Sequence, residues 1–230
     1  MRIGLFRLLK LFFVSLFLQA SWSFHSMQSL GFLVITMMGI DKKKSEFLSQ
    51  HSRTFFNTHP YMAGFIIGAV LHSFDKENSL EDLKKHIMVS QSAFASFGDT
   101  LFWQTIRPTL LVIAIITGVK YGLIGPLIFL LLYNLIHIYF RFYGFTTGYK
   151  MGWDVIYILK GKNLYWIQRI SESIGAFCIG LLPIILDKGF NLLFLIPLSG
   201  IFIILLWKRV APILILTFVF ILIIINLIFL

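Results

Sequence analysis

The sequence predicts an all-α integral membrane protein, with N-terminal amphipathic or re-entrant helices followed by about five transmembrane helices. Three observations carry this expectation. The first is composition: 58% of the 230 residues are hydrophobic and 13% are charged, about half the ~25% charge of a soluble domain. The second is the set of apolar runs in the second half, at Phe102–Val119, Leu123–Tyr139, Ile174–Leu186, Phe190–Leu206 and Val210–Leu230; a helix needs ~20 such residues to cross a bilayer. The third is that lysines and arginines gather between these runs, as they do in cytoplasmic loops. The net charge of +10 therefore answers to anionic headgroups, and nucleic acid is not expected as a partner. The 25 phenylalanines suit lipid and helix packing. Residues 1–100 form an amphipathic and re-entrant region on this reading, and 101–230 a transmembrane one.

Met1 to Leu18 carries Arg2, Arg7 and Lys10 among leucines and phenylalanines. A signal peptide shares that pattern, but the run Leu11–Leu18 is short and leads directly into Gln19-Ala20-Ser21-Trp22. An uncleaved amphipathic helix at the membrane interface is the expectation. Ser23 to Gly39 is apolar but interrupted by His25, Gln28 and Gly31, and Asp41 to Arg53 is basic, with Lys42, Lys43 and Lys44.

The chain is organised around the stretch Phe55-Phe56-Asn57-Thr58-His59-Pro60-Tyr61, followed by an apolar run to Leu71. Pro60 bars the helical region to His59 and suits the first position of a helix. That run has 11 residues, Tyr61 to Leu71, too few to cross a bilayer. Gly64 and Gly68 invite another backbone to approach closely. Two readings stay open: a broken or re-entrant element of the kind that marks transporter sites, and a capped, buried packing helix. Because Pro60 fixes the turn, Asn57 and His59 project from ordered backbone, as neutral hydrogen-bonding groups. Asp75 to His86 is charged and helix-prone, with Glu81 and Lys85 paired four apart.

Asp99, Trp103 and Arg107 fall on one face of a helix, which Arg107-Pro108 interrupts. On a straight α-helix Asp99 and Arg107 stand ~12 Å apart, too far to pair directly. Each is then a substrate contact, or else a cap and a snorkelling interface residue respectively. Asn134, His137 and Arg141 form a polar stripe on the next span, the pattern of hydrogen bonds to a neighbouring helix, and Arg141 is read as its end. Counts of lysine and arginine place a 141–169 loop and the 207–209 turn in the cytoplasm and Leu230 outside. The six histidines have no metal spacing, and no phosphate loop or catalytic constellation is present in the sequence. The lone Cys178 excludes an intrachain disulfide.

Several stretches resemble a known family: Leu18-Gln19-Ala20-Ser21-Trp22, Met27-Gln28-Ser29-Leu30-Gly31-Phe32, Phe55 to Tyr61, Gly98-Asp99, Phe102-Trp103, Arg107-Pro108, Leu123-Ile124-Gly125-Pro126-Leu127, Tyr133-Asn134, Arg141-Phe142-Tyr143-Gly144, Gly148-Tyr149 and Gly152. In this order, over roughly residues 12–156, they are similar to the IID component of mannose-family phosphotransferase-system permeases. The resemblance implies a multi-pass subunit of the bacterial cytoplasmic membrane that pairs with a IIC chain. Together these chains carry a hexose inward, and phosphate reaches it through cytoplasmic IIA and IIB proteins. It implies no phosphorylated residue on IID and no cofactor. The residues expected to face the substrate path or the IIC chain are Gln28, Asn57, His59, Asp99, Arg107 and Asn134; no catalytic or metal-binding residue is expected. The sequence departs from the family pattern at His25-Ser26, where an acidic and a basic residue are usual. It departs again at Ser92 to Phe97, where a Gly-Pro-rich approach is usual, and at Asp187-Lys188-Gly189, where a longer polar segment is usual. A degenerate IID chain serving as scaffold or regulator is the alternative.

Overall fold

A computed structural model describes residues 4–40, 55–76 and 80–186. The chain divides into two compact units, Met1–Gly180 and Leu181–Leu230. In the second unit only residues 181–186 are described. The expected spans Phe190–Leu206 and Val210–Leu230, the basic segment after Ile40 and the 207–209 turn lie outside the described residues.

Helix α1 runs from Leu5 to Ser15 and buries Leu11, Phe12 and Ser15 while Leu5, Phe6 and Phe13 stay exposed, the two-faced character that its sequence predicts. Arg7 reaches the carbonyl of Gly39 and pairs with Asp75 at 3.5 Å. A tight turn follows, closed by reciprocal Ser23–Met27 backbone bonds of 3.2 and 2.8 Å. It holds Met27 at φ 52°, a left-handed conformation uncommon outside glycine. Helix α2 spans Ser29–Met38. It passes so close to the preceding segment that a Cβ on Gly31 would lie 2.1 Å from the Leu18 carbonyl oxygen.

Helix α3, Ala63–Asp75, is the centre of the unit: 11 of its 13 residues are buried. Its thirteen residues are too short to span a bilayer, and their burial on every side describes a packing helix. It starts later than the sequence suggests. Pro60 occupies not the first helical position but the second place of a four-residue turn, closed by Met62 N–H donating to the His59 carbonyl at 2.9 Å, a position for which its fixed φ is equally suited. Helix α4, Leu80–Gly98, carries the exposed Glu81–Lys85 pair at 3.8 Å. It continues through π-helical turns at Asp99–Ile106 into α5, Arg107–Tyr121. Pro108 therefore does not interrupt the helix. It has no N–H to donate and its ring crowds the turn before it, and widened turns precede it, with Thr105 Oγ1 donating five residues back to the Thr100 carbonyl at 2.8 Å.

Gly122, at φ +59°, turns the chain into α6, Ile124–Met151. This helix does not end at Arg141. It runs ten residues further, because Gly144 and Gly148 bring its backbone against α3. A 3₁₀ segment, Gly152–Lys160, and α7, Lys162–Leu186, complete the described chain. The expected 141–169 loop is thus helical, broken only at Gly161.

Small residues set the central crossing. A Cβ on Gly64 would lie 3.0 Å from the Arg141 carbonyl oxygen, and one on Gly68 2.6 Å from that of Phe145. From the other side, one on Gly148 would lie 2.1 Å from the Phe65 carbonyl oxygen. Two glycine pairs spaced four apart, 64/68 and 144/148, thus face each other, the close packing such pairs permit. Phe65, Phe94, Phe102 and Phe145 fill the space around the crossing, fully buried. Two continuous helical segments, Glu81–Tyr121 and Ile124–Lys160, are long and apolar enough to cross a membrane. Along the second, Leu123, Leu127, Leu131 and Leu135 form an exposed apolar stripe. Such a stripe is unfavourable in water and ordinary against lipid or another apolar chain.

Candidate functional site

The site is assembled around the Pro60 turn, which two stretches from different parts of the chain hold in place. Gln28 is buried, and its side-chain amide pairs with the backbone of Thr58 at both ends. Nε2 donates to the Thr58 carbonyl at 2.9 Å, and Oε1 accepts from the Thr58 N–H at 3.2 Å. The Gln28 N–H donates to the Phe56 carbonyl at 2.8 Å, so the segment beginning at Met27 lies against 56–58 like a short strand. From α4, Gln91 Oε1 accepts the Asn57 N–H at 2.9 Å. Hydrogen bonds thus occupy the backbone of the segment that leads into the turn.

The His59 side chain is buried. Its Nδ1 accepts the N–H of Tyr61 at 3.3 Å, which leaves the proton on Nε2. The ring stacks on Phe102 at 4.9 Å, with the edge of Trp103 also at 4.9 Å. Glycine is required opposite it: a Cβ on Gly98 would lie 2.4 Å from the His59 Cβ. Tyr61 stacks on His137 at 4.8 Å, approaches Tyr133 at 6.0 Å, and lies 5.4 Å from the Arg141 guanidinium. Asn134 is exposed; its Nδ2 donates to the Leu130 carbonyl at 2.6 Å and its Oδ1 accepts from His137 Nε2 at 2.9 Å. Arg141 is buried and crosses to α1, where Nη1 donates to the Ser15 carbonyl at 2.7 Å and to Ser15 Oγ at 3.0 Å. That carbonyl end of a helix attracts a cation through its dipole.

Of the six residues singled out in the sequence, Gln28, Asn57, His59 and Asn134 are linked at this turn. His59 and Asn134 are joined through Tyr61 and His137. Gln28 clasps Thr58, and Asn57, held through its backbone N–H by Gln91, presents an exposed side chain. Asp99 follows the Gly98 that packs on His59; it is half-buried, with no hydrogen bond or ion pair among the described residues. Arg107 is exposed. Sequence reasoning left Tyr61, Tyr133, His137 and Arg141 off the candidate set, although Tyr61 is the hub. The 134/137/141 stripe was the available signal, and Arg141 does bond a neighbouring helix, as such a stripe predicts.

Comparison with known proteins decides the family. Residues 5–185 match the family described as the mannose/fructose/sorbose family IID component of the phosphotransferase system. The chain belongs to this IID family. It is 28% identical over 179 residues to the mannose-specific EIID component of Escherichia coli K12, covering 71% of this chain and 62% of that protein. It is also 28% identical over 187 residues to the fructose permease IID component of Bacillus subtilis 168, covering 75% of this chain and 66% of that one. The chain thus spans somewhat under two thirds of the length of the Escherichia coli relative. Its fold is shared with a chain of the cryo-EM structure of the mannose transporter ManYZ with microcin E492 (TM-score 0.59, 24% identity, 98% of this chain and 96% of that one). It is accordingly an all-α membrane protein. The stretches by which the IID family is recognised are those that meet in space: 27–32 lies on 55–61, and the glycines of 141–149 cross α3.

Proposed function

We propose that this chain is the IID subunit of a mannose-family permease in a bacterial cytoplasmic membrane. In this reading it crosses the membrane several times and pairs with a IIC chain. The pair admits a hexose that a cytoplasmic IIB protein phosphorylates, with phosphate supplied by IIA. The observation that carries the reading is the continuous match to the IID family over residues 5–185. The site's chemistry agrees with it. The Pro60 turn offers neutral amides and imidazoles beside aromatic rings, groups suited to hydroxyls. In this reading phosphoryl transfer belongs to the IIB and IIA partners. Gln28, Asn57, His59, Asp99, Arg107 and Asn134 are assigned to the substrate path or the IIC interface; of these, Asn57, Arg107 and Asn134 are exposed and Gln28 and His59 act from beneath.

The test is co-expression with the IIC chain of the same organism, purification in mild detergent and uptake of a panel of hexoses by cells carrying the full set of subunits. Co-purification with uptake is the expected result. Recovery of the chain alone rejects the permease reading, and a stable pair without uptake of any hexose reduces it to a scaffold.

A further inference from the structure

The three groups around the Tyr61 ring share a property that the permease reading does not use. Among the described residues, His59 Nε2, His137 Nδ1 and Arg141 Nε are each buried with no hydrogen-bond partner, and so is Thr58 Oγ1 on the same turn. Buried polar atoms in folded proteins nearly always have a partner, in the protein or in ordered water. Their chemistry restricts what the partner can be. His59 spends Nδ1 as an acceptor, so Nε2 is a donor. Arg141 Nε is a donor in any state. His137 bonds Asn134 through Nε2 while the Asn134 amide nitrogen is engaged elsewhere, so that Nε2 donates and Nδ1 is left as an acceptor. Beside the Thr58 hydroxyl, which can donate or accept, the cluster thus presents two donors and one acceptor.

An anion answers the two donors and is repelled by the lone pair of His137. A cation answers His137 and is repelled by Arg141. A hydroxyl oxygen with its own protons answers all of them, and at atoms this deeply buried the molecule that fits is water, which makes two to four such bonds in protein interiors. We propose that the space around Tyr61 is an internal water site, and that bound water completes the bonding of His59, His137 and Arg141. The Pro60 turn, α6 and the Arg141 clasp on α1 then share one hydrated joint. This inference is independent of whether the chain transports a sugar.

Radiolytic hydroxyl-radical labelling of the full chain in detergent tests it, because radicals form from water already in place and oxidise the side chains beside it. His59 should be oxidised well above Phe94, an equally buried and readily oxidised ring in the dry part of the core. Labelling of His59 no greater than that of Phe94 overturns the proposal. In His137→Phe, which removes the acceptor and fills its place, labelling of His59 should fall to the level of Phe94. Undiminished labelling in a folded variant also overturns it, and where the variant fails to fold the wild-type comparison decides alone.

Discussion

At the scale of single residues, the conspicuous turn is a supported object, and its supports behave differently from its displayed groups. Gln28→Ala removes both partners of the buried Thr58 backbone. With about 1–3 kcal/mol for each of the two buried groups left unpaired, it should cost roughly 2–6 kcal/mol, read as a clear drop in thermal stability in detergent. Asn57→Ala should do the reverse. Asn57 stands five residues before Met62, the residue that caps α3, so it is not a helix cap, and its exposed amide contributes nothing to the core. Stability should be unchanged, while loss of one hydrogen bond to a neutral ligand, about 0.5–1.5 kcal/mol, weakens uptake roughly 2- to 12-fold. Normal uptake with reduced stability would exclude Asn57 from the substrate path. The ordered turn at His59 was legible because Pro60 restricts the backbone on both sides of it. The role of Gln28 was not, since its partner is a backbone amide thirty residues away and a peptide group carries no sequence signature.

Between helices, the decisive contact is the crossing of α3 and α6. Gly148→Ala places a methyl group 2.1 Å from the Phe65 carbonyl oxygen, a backbone atom that cannot swing aside. The helices must separate, and a loss of at least about 2 kcal/mol is expected, visible as reduced yield and an early melting transition. Gly118→Ala is the matched control. Its Cβ would meet only Pro126 Cδ at 4.0 Å, and trading glycine for alanine within a helix should stabilise by about 0.5–1 kcal/mol. Equal effects of the two substitutions would show that the crossing is not held by its glycines. Gly64 and Gly68 were readable as an invitation to another backbone, and the invited backbone carries the same spacing. Helix ends were less readable. Arg107-Pro108 looks like an interruption in one dimension, but the π turns absorb it. Arg141 looks like the polar end of a span, yet its charge is buried against Ser15, 126 residues away, a pairing that only the folded chain reveals.

For the molecule as a whole, composition placed the chain in a membrane, because a 13% charged sequence cannot cover itself for water, and the long apolar runs made it helical. Direction across the membrane is a finer matter, which the lysine and arginine counts address. Reporters fused at Gly161, the break between the 3₁₀ segment and α7, and after Leu230 should give opposite signals, the first cytoplasmic and the second periplasmic. Matching signals would mean that the number of crossings between them is even. The two long helical segments bear on the count as well. At 41 and 37 residues they are about twice the ~20 that a bilayer requires, so a segment of either length that crosses one extends beyond the hydrocarbon layer. Charges such as Lys84, Lys85, Lys150 and Lys160 lie toward their ends; for Lys84 and Lys85 the sequence had suggested a helix, for Lys150 and Lys160 a loop.

The position of α3 in the chain has a consequence for biosynthesis. The helix is complete at Asp75, but the surface that covers its glycine face ends at Met151, 76 residues later. At about 5–20 residues per second a ribosome needs roughly 4–15 s to make that stretch. Throughout that interval a thirteen-residue apolar helix, too short to settle across a bilayer unaided, has no native partner on its tightest face. The nascent chain therefore depends on something outside itself, whether insertion machinery or the lipid surface, to keep α3 from aggregating until α6 arrives.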